Sequence, residues 1–146
     1  MEALDGIWRL VDSRAWNGIT ERLSMPYGSH PVGQIAFSRG RMLVALCNGD
    51  NDLGPDARSF NSYGGPYTFD GETLDCAVDV ASDPQRVGSR QVRGVVMLSE
   101  DKLLLRPPAG LYGRKLERRE LIWERVWRPE AKVSVLTSKT RLTADG

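Results

Sequence analysis

A chain of 146 residues has room for one ordinary domain, and its 40% hydrophobic and 27% charged residues suit a globular fold rather than disorder. Lys and Arg total 20 against 19 Asp and Glu, and the formal charge of +1 offers no broad pull toward nucleic acid or anionic lipid. One histidine and two separated cysteines exclude a histidine-rich metal site and a disulfide scaffold; no apolar run is long enough to span a bilayer, and the start MEALDGIWRLV does not read as a secretory signal. The expectation is a cytoplasmic domain that needs no metal and no cofactor, with its function in a pocket or on a surface.

Glycine and proline are spread along the chain as punctuation between short β-prone runs. That pattern predicts an all-β fold with strands at 6–15, 19–25, 33–38, 41–47, 66–70, 73–80, 89–98, 102–106 and 118–127. Ser38-Arg39-Gly40-Arg41 and Phe69-Asp70-Gly71-Glu72 read as tight hairpin turns. On the strand from Thr73 to Val80, Leu74, Cys76, Val78 and Val80 share one face. One short helix is expected at Asp56–Phe60, after Pro55. Residues 114–128 are rich in helix formers, so propensity alone argues for a helix there. The second half is nonetheless taken as a strand, partly on the resemblance below. Residues 1–128 are expected to form the domain, and the polar tail 129–146, with its β-prone patch Val133–Leu136, either to hang free or to add an edge strand.

Three patterns occur in order. Gly6-Ile7-Trp8 opens the first predicted strand. Pro31-Val32-Gly33 leads to Gly40-Arg41-Met42. Tyr63-Gly64-Gly65-Pro66-Tyr67 is followed by Gly88-Ser89-Arg90-Gln91-Val92-Arg93, and Trp123-Glu124-Arg125 closes the series. Together they resemble the lipocalin-like domain of small bacterial and fungal proteins, over roughly residues 4–127. The resemblance implies a single antiparallel β-barrel of about eight to ten strands around a ligand cavity. It also implies that Arg125 stacks on Trp8 to close the barrel. The family often carries histidines where this chain has Cys76 and Ala77, so chemistry resting on those histidines is not carried over.

Gln91 and Arg93 alternate with outward positions and share a face with Val95 and Met97. If that face turns inward, an amide and a fixed cation stand at one end of an apolar wall, where they would orient a ligand oxygen. Alternatively, Arg93 pairs with an acid such as Asp79. Tyr67 and Phe69 also alternate inward, and the Tyr67 hydroxyl is a candidate proton donor or an ordinary core group. His30 sits in a loop at a barrel end and is the natural general-base candidate, or a solvated loop residue. Cys76 belongs to the apolar wall as an inert thiol, and Trp16 and Cys47 mark a further place where the pocket could lie. The basic run Arg114–Arg119 reads as a solvated strand start.

These residues support a cofactor-independent isomerase, cyclase or lyase acting on a hydrophobic, oxygenated metabolite. Arg93, Tyr67 and His30 would move charge and protons, and Gln91, Phe69, Cys76, Val95, Met97 and Trp16 would form the binding wall. The alternative is a non-catalytic carrier of such a molecule, and a third reading is a protein-interaction module. No nucleic-acid or membrane partner is expected, and a homodimer is left open. Convergent polar groups in the pocket would favour the enzyme, a wholly apolar pocket the carrier, and a filled barrel the interaction module.

Overall fold

The computed structural model describes residues 2–17, 23–50, 53–54, 57–107, 110–112 and 115–130. The strands are β1 (Gly6–Asn17), β2 (Leu23–Ser24), β3 (Pro31–Ser38), β4 (Arg41–Asn48), β5 (Asn61–Phe69) and β6 (Thr73–Ala77). They continue as β7 (Val80–Ala81), β8 (Arg90–Ser99), β9 (Lys102–Arg106), β10 (Gly110–Tyr112) and β11 (Lys115–Trp127). Eight of these form a closed antiparallel barrel in the order β1, β3, β4, β5, β6, β8, β9, β11. Closure comes from β11 returning to β1, with Trp8 opposite Arg125 and Leu10 opposite Trp123. Closure leaves the eight-strand circuit without a free edge.

One end of the barrel is made of tight turns. Arg39 and Gly40 both have positive φ, 51° and 79°, the two-residue geometry whose twist matches the flanking strands. At the next turn the Asp70 carboxylate accepts from the backbone N–H groups of Glu72 and Thr73, at 2.9 and 2.7 Å. The opposite end carries the longer connections between β2 and β3, β4 and β5, β7 and β8, and β9 and β11. This asymmetry gives the barrel a closed end and an end framed by loops.

The core fills the closed half. Trp8 and Trp123 are fully buried, with Phe37, Met42, Leu74 and Leu103 around them. The Trp8 indole N–H donates to the Leu4 carbonyl at 2.9 Å. Above the Trp8 ring, at 4.4 Å, lies the Arg125 guanidinium, as the resemblance implied. Arg125 donates to the carbonyls of Asp5 (2.8 Å), Ala3 (3.3 Å) and Glu100 (2.9 Å) and pairs with Asp101 at 3.0 Å.

Four sequence expectations change here. The strand expected from Pro66 begins at Asn61. Its Gly64-Gly65 pair serves close approach rather than a turn, since a Cβ on Gly65 would lie 2.0 Å from the Ala77 carbonyl oxygen. The single strand expected over Thr73–Val80 is divided because Asp79 N–H donates to Gly64 O at 3.0 Å, and Val80 is half exposed instead of sharing the buried face of Leu74. The short helix expected at Asp56–Phe60 starts outside the described residues, and Arg58–Phe60 are not helical. Helix propensity in residues 114–128 is overridden by two-sided pairing of β11 with β1 and β9. The tail beyond residue 130, including Val133–Leu136, lies outside the described residues.

Candidate ligand cavity

At the loop end the barrel encloses a cavity of about 280 Å3. Its buried side is apolar, formed by Ile35, Val44, Leu46, Leu105, Leu121 and Trp123. Its outer side is polar, with Tyr27, Asn61, Arg86, Gln91, Arg93 and Arg119, and Tyr63 and Pro107 complete the wall. Gln91 and Arg93 reach it because β8 alternates: both point inward, as does buried Val95, while Val92 and Val96 face out. The Arg93 guanidinium donates to Gln91 Oε1 and to the Val92 carbonyl, both at 2.9 Å. Asp79, the alternative partner, is instead held by Arg41 at 2.8 Å.

Arg86 enters from the 3-10 turn Pro84–Arg86, which Asp83 caps by accepting from the Gln85 N–H. Its guanidinium bonds to Asn61 Oδ1 and lies 4.7 Å from the centre of the Tyr63 ring. Burial pushes the Tyr63 phenol above its ordinary pKa, and the nearby Arg93 and Arg86 cations offset part of that rise. Tyr63 is therefore a neutral donor at physiological pH. No carboxylate and no histidine lines the cavity among the described residues. Nor do the described residues contain a group of three His, Cys, Asp or Glu side chains able to hold a metal ion.

Of the expected site residues, the cavity brings together Gln91 and Arg93. Cys76 and Val95 are buried in the barrel but are not among the cavity lining, and burial pushes the Cys76 thiol up, away from a reactive thiolate. Tyr67 and Phe69 belong to a separate, shallower groove at the closed end, beside Glu2, Leu4 and Arg39. The Tyr67 ring packs edge-on against Phe37, and its hydroxyl is buried with no hydrogen-bond partner among the described residues. Burial, followed by the Asp5 and Glu2 carboxylates, pushes its pKa up to about 12, so it moves no proton near neutrality.

Met97 is 41% exposed and does not line the cavity. It shares a face with Gln91, but six residues of strand span ~20 Å, so the two stand at opposite ends of the barrel. Trp16 faces outward, beside Arg106 and Glu120. The cause is the irregularity between Leu10 and Asp12 in β1, which moves the inward face from Trp8 and Leu10 to Ser13 and Ala15. The His30 side chain is 77% exposed and pairs with Asp50 at 3.2 Å. Burial opposes ionisation of Asp50, but hydrogen bonds from His30 and Ser29 hold its carboxyl below the ordinary value. The pair pins the loop whose Tyr27, not His30, reaches the cavity.

Sequence reasoning passed over Tyr63, Arg86 and Arg119. Tyr63 shares the two-residue period of Tyr67 and Phe69 and was hidden by the late strand start. Arg119 shares a face with Leu121 and Trp123 but was counted with the solvated basic run. Arg86 comes from a loop, where periodicity carries no signal.

The model of the lipocalin-like domain family matches residues 48–126, more than half of the chain. The protein belongs to the lipocalin-like domain family. The matched span contains Tyr63–Tyr67, Gln91, Arg93 and Trp123–Arg125; the Gly6-Ile7-Trp8 and Pro31–Met42 patterns precede it. No curated protein matches the chain. Solved structures of similar outline include an uncharacterized protein from Bacteroides eggerthii DSM 20697, at 10% identity and a TM-score of 0.43, covering 83% of this chain and 98% of that one. A redesigned β-barrel matches at 15% identity and a TM-score of 0.44, covering 84% and 91%. A lipocalin-like barrel with a cavity at its loop end points to small-molecule binding.

Proposed function

We propose that this lipocalin-like domain binds a compact, hydrophobic, oxygenated small molecule in the 280 Å3 cavity and carries or sequesters it. One observation supports this above the others: an apolar floor on Trp123 lies under converging hydrogen-bond donors, with no carboxylate or histidine among the described lining residues. Arg93, Gln91 and Asn61 would hold a ligand oxygen, and the apolar side would cover the rest of the ligand. Among the described lining residues there is no carboxylate or imidazole to take and return a proton near neutrality.

A second reading keeps the isomerase, cyclase or lyase. The convergence of Arg93, Arg86 and Tyr63 favours it, because polarising an oxygen and orienting the ligand lower a barrier without a general base. Tyr63, kept neutral, would then donate a hydrogen bond or a proton to that oxygen. The experiment is to incubate the protein with extracted hydrophobic metabolites, remove unbound material and compare retained and released compounds by chromatography and NMR. Retention of an unchanged compound by the wild type but not by Arg93→Leu supports the carrier. Release of a new isomer or fragment supports the enzyme, and equal retention by both proteins refutes the site.

A further inference from the structure

The two sides of the barrel wall treat charge differently. On the outer face, arginines meet acids: Arg90 pairs with Asp75 at 2.8 Å, Arg41 with Asp79 at 2.8 Å, and Arg106 with Glu120 at 2.7 Å. Asp75 of β6 and Glu120 of β11 are thereby engaged outside. Inside, Arg86, Arg93 and Arg119 line one cavity that, among the described residues, no Asp or Glu lines. Among the described residues, the partners of Arg86 and Arg93 are neutral: Asn61 Oδ1, the Tyr63 ring, Gln91 Oε1 and the Val92 carbonyl.

We infer that the cavity is built for an organic carboxylate: a compact apolar acid whose body rests on Trp123 and whose carboxylate is held by Arg93 and Arg86. The inference rests on reading the cavity as the ligand site. Its physical basis is that guanidinium groups turned into a partly apolar enclosure set up a positive potential that neutral partners do not cancel. A carboxylate matches the guanidinium fork with two parallel hydrogen bonds and restores the charge balance. Neighbouring Gln91 and Asn61 donate through their amides, and Tyr63 lines the same space. A phosphate fits less well, because the described lining residues include no Lys, Ser, Thr or Gly with which such groups are usually wrapped. Size limits the acid too: 280 Å3 is about nine waters' share of the liquid at ~30 Å3 each, room for one or two rings or a medium chain.

The test compares acids with their uncharged amides, which keep shape and hydrogen bonding but lose the charge. Benzoate and benzamide, 2-naphthoate and 2-naphthamide, and octanoate and octanamide are titrated into the full chain at pH 7. Calorimetry is read together with the tryptophan fluorescence, to which Trp123 on the cavity floor contributes. At least one acid is expected to bind about tenfold or more tighter than its amide, with the advantage shrinking as salt is added. In the Arg86→Gln/Arg93→Gln double variant that ratio should fall to within about threefold. An amide that binds as tightly as its acid overturns the carboxylate assignment and leaves the small-molecule reading standing. If no acid and no amide binds up to millimolar concentration, both are overturned. Because the acid-to-amide ratio is read first on the wild type, misfolding of the variant cannot rescue the proposal.

Discussion

Each end of this barrel places an arginine against an aromatic ring, yet the two arrangements do different work. At the closed end Arg125 lies 4.4 Å over Trp8, its side chain 4% exposed, with three backbone carbonyls and Asp101 around it. Its guanidinium is turned to these acceptors, all of them within the protein. At the loop end Arg86 lies 4.7 Å over Tyr63, and Arg93 stands nearby with an amide and one carbonyl as partners. The same pair of residue types closes the barrel at one end, where the charge meets a carboxylate, and lines the proposed ligand cavity at the other, where the described partners of Arg86 and Arg93 are neutral. What distinguishes a structural arginine from a ligand-binding one is therefore its set of acceptors rather than its burial or its aromatic contact.

The largest expected effect lies at the closed end. Trp8→Ala removes a fully buried indole, the donor to Leu4 O and the platform for Arg125, and should cost about 3–5 kcal/mol. Urea unfolding with an unchanged midpoint would show that this end does not hold the barrel. The comparison itself is tested by a matched pair of substitutions. Arg125→Met leaves the carbonyls of Ala3, Asp5 and Glu100 without their donor and should lower stability by about 2–4 kcal/mol. Arg93→Leu should keep the melting temperature within a few degrees while weakening ligand binding about tenfold or more. The reverse pattern, a destabilised Arg93→Leu that still binds, would exchange the roles assigned to the two ends.

Tyr67→Phe gives a smaller and oppositely signed effect. Removing a buried hydroxyl without a partner should leave stability at pH 7 unchanged or raised by about 1 kcal/mol. Its pKa is raised in the folded state from 10.0 to about 12, so the unfolded chain loses the proton first as pH climbs. The wild type should therefore lose stability between pH 10.0 and about 12, and Tyr67→Phe should lose less over the same window. Unfolding curves at pH 9 and 11 measure the difference; parallel loss in both proteins would place the hydroxyl in water. The smallest effects belong to residues outside the cavity. His30→Gln and Met97→Leu should each change ligand affinity by less than about twofold, and a loss of tenfold in either would move the site.

Alternation, turn chemistry and order along the chain were enough to determine an all-β barrel, its tight turns at Arg39-Gly40 and Asp70-Gly71, and the shared strand face of Gln91 and Arg93. Those features depend on residues within a few positions of each other, where the two-residue period and positive-φ preferences act directly. The position of an inward side chain along the barrel axis depended on more. Strands are tilted and run from one end to the other, so Gln91 and Met97, or Tyr63 and Phe69, share a face without sharing a site. One irregularity in β1 reversed the direction of Trp16, and no local pattern marks it. Only the closed barrel decided that Arg86 from a loop, Arg119 from the last strand and Arg93 from β8 would line one cavity while Asp75 of β6 and Glu120 of β11 paired outside it. Such grouping is set by pairing between strands far apart in the chain, and the charge balance of a cavity exists only once those strands have met.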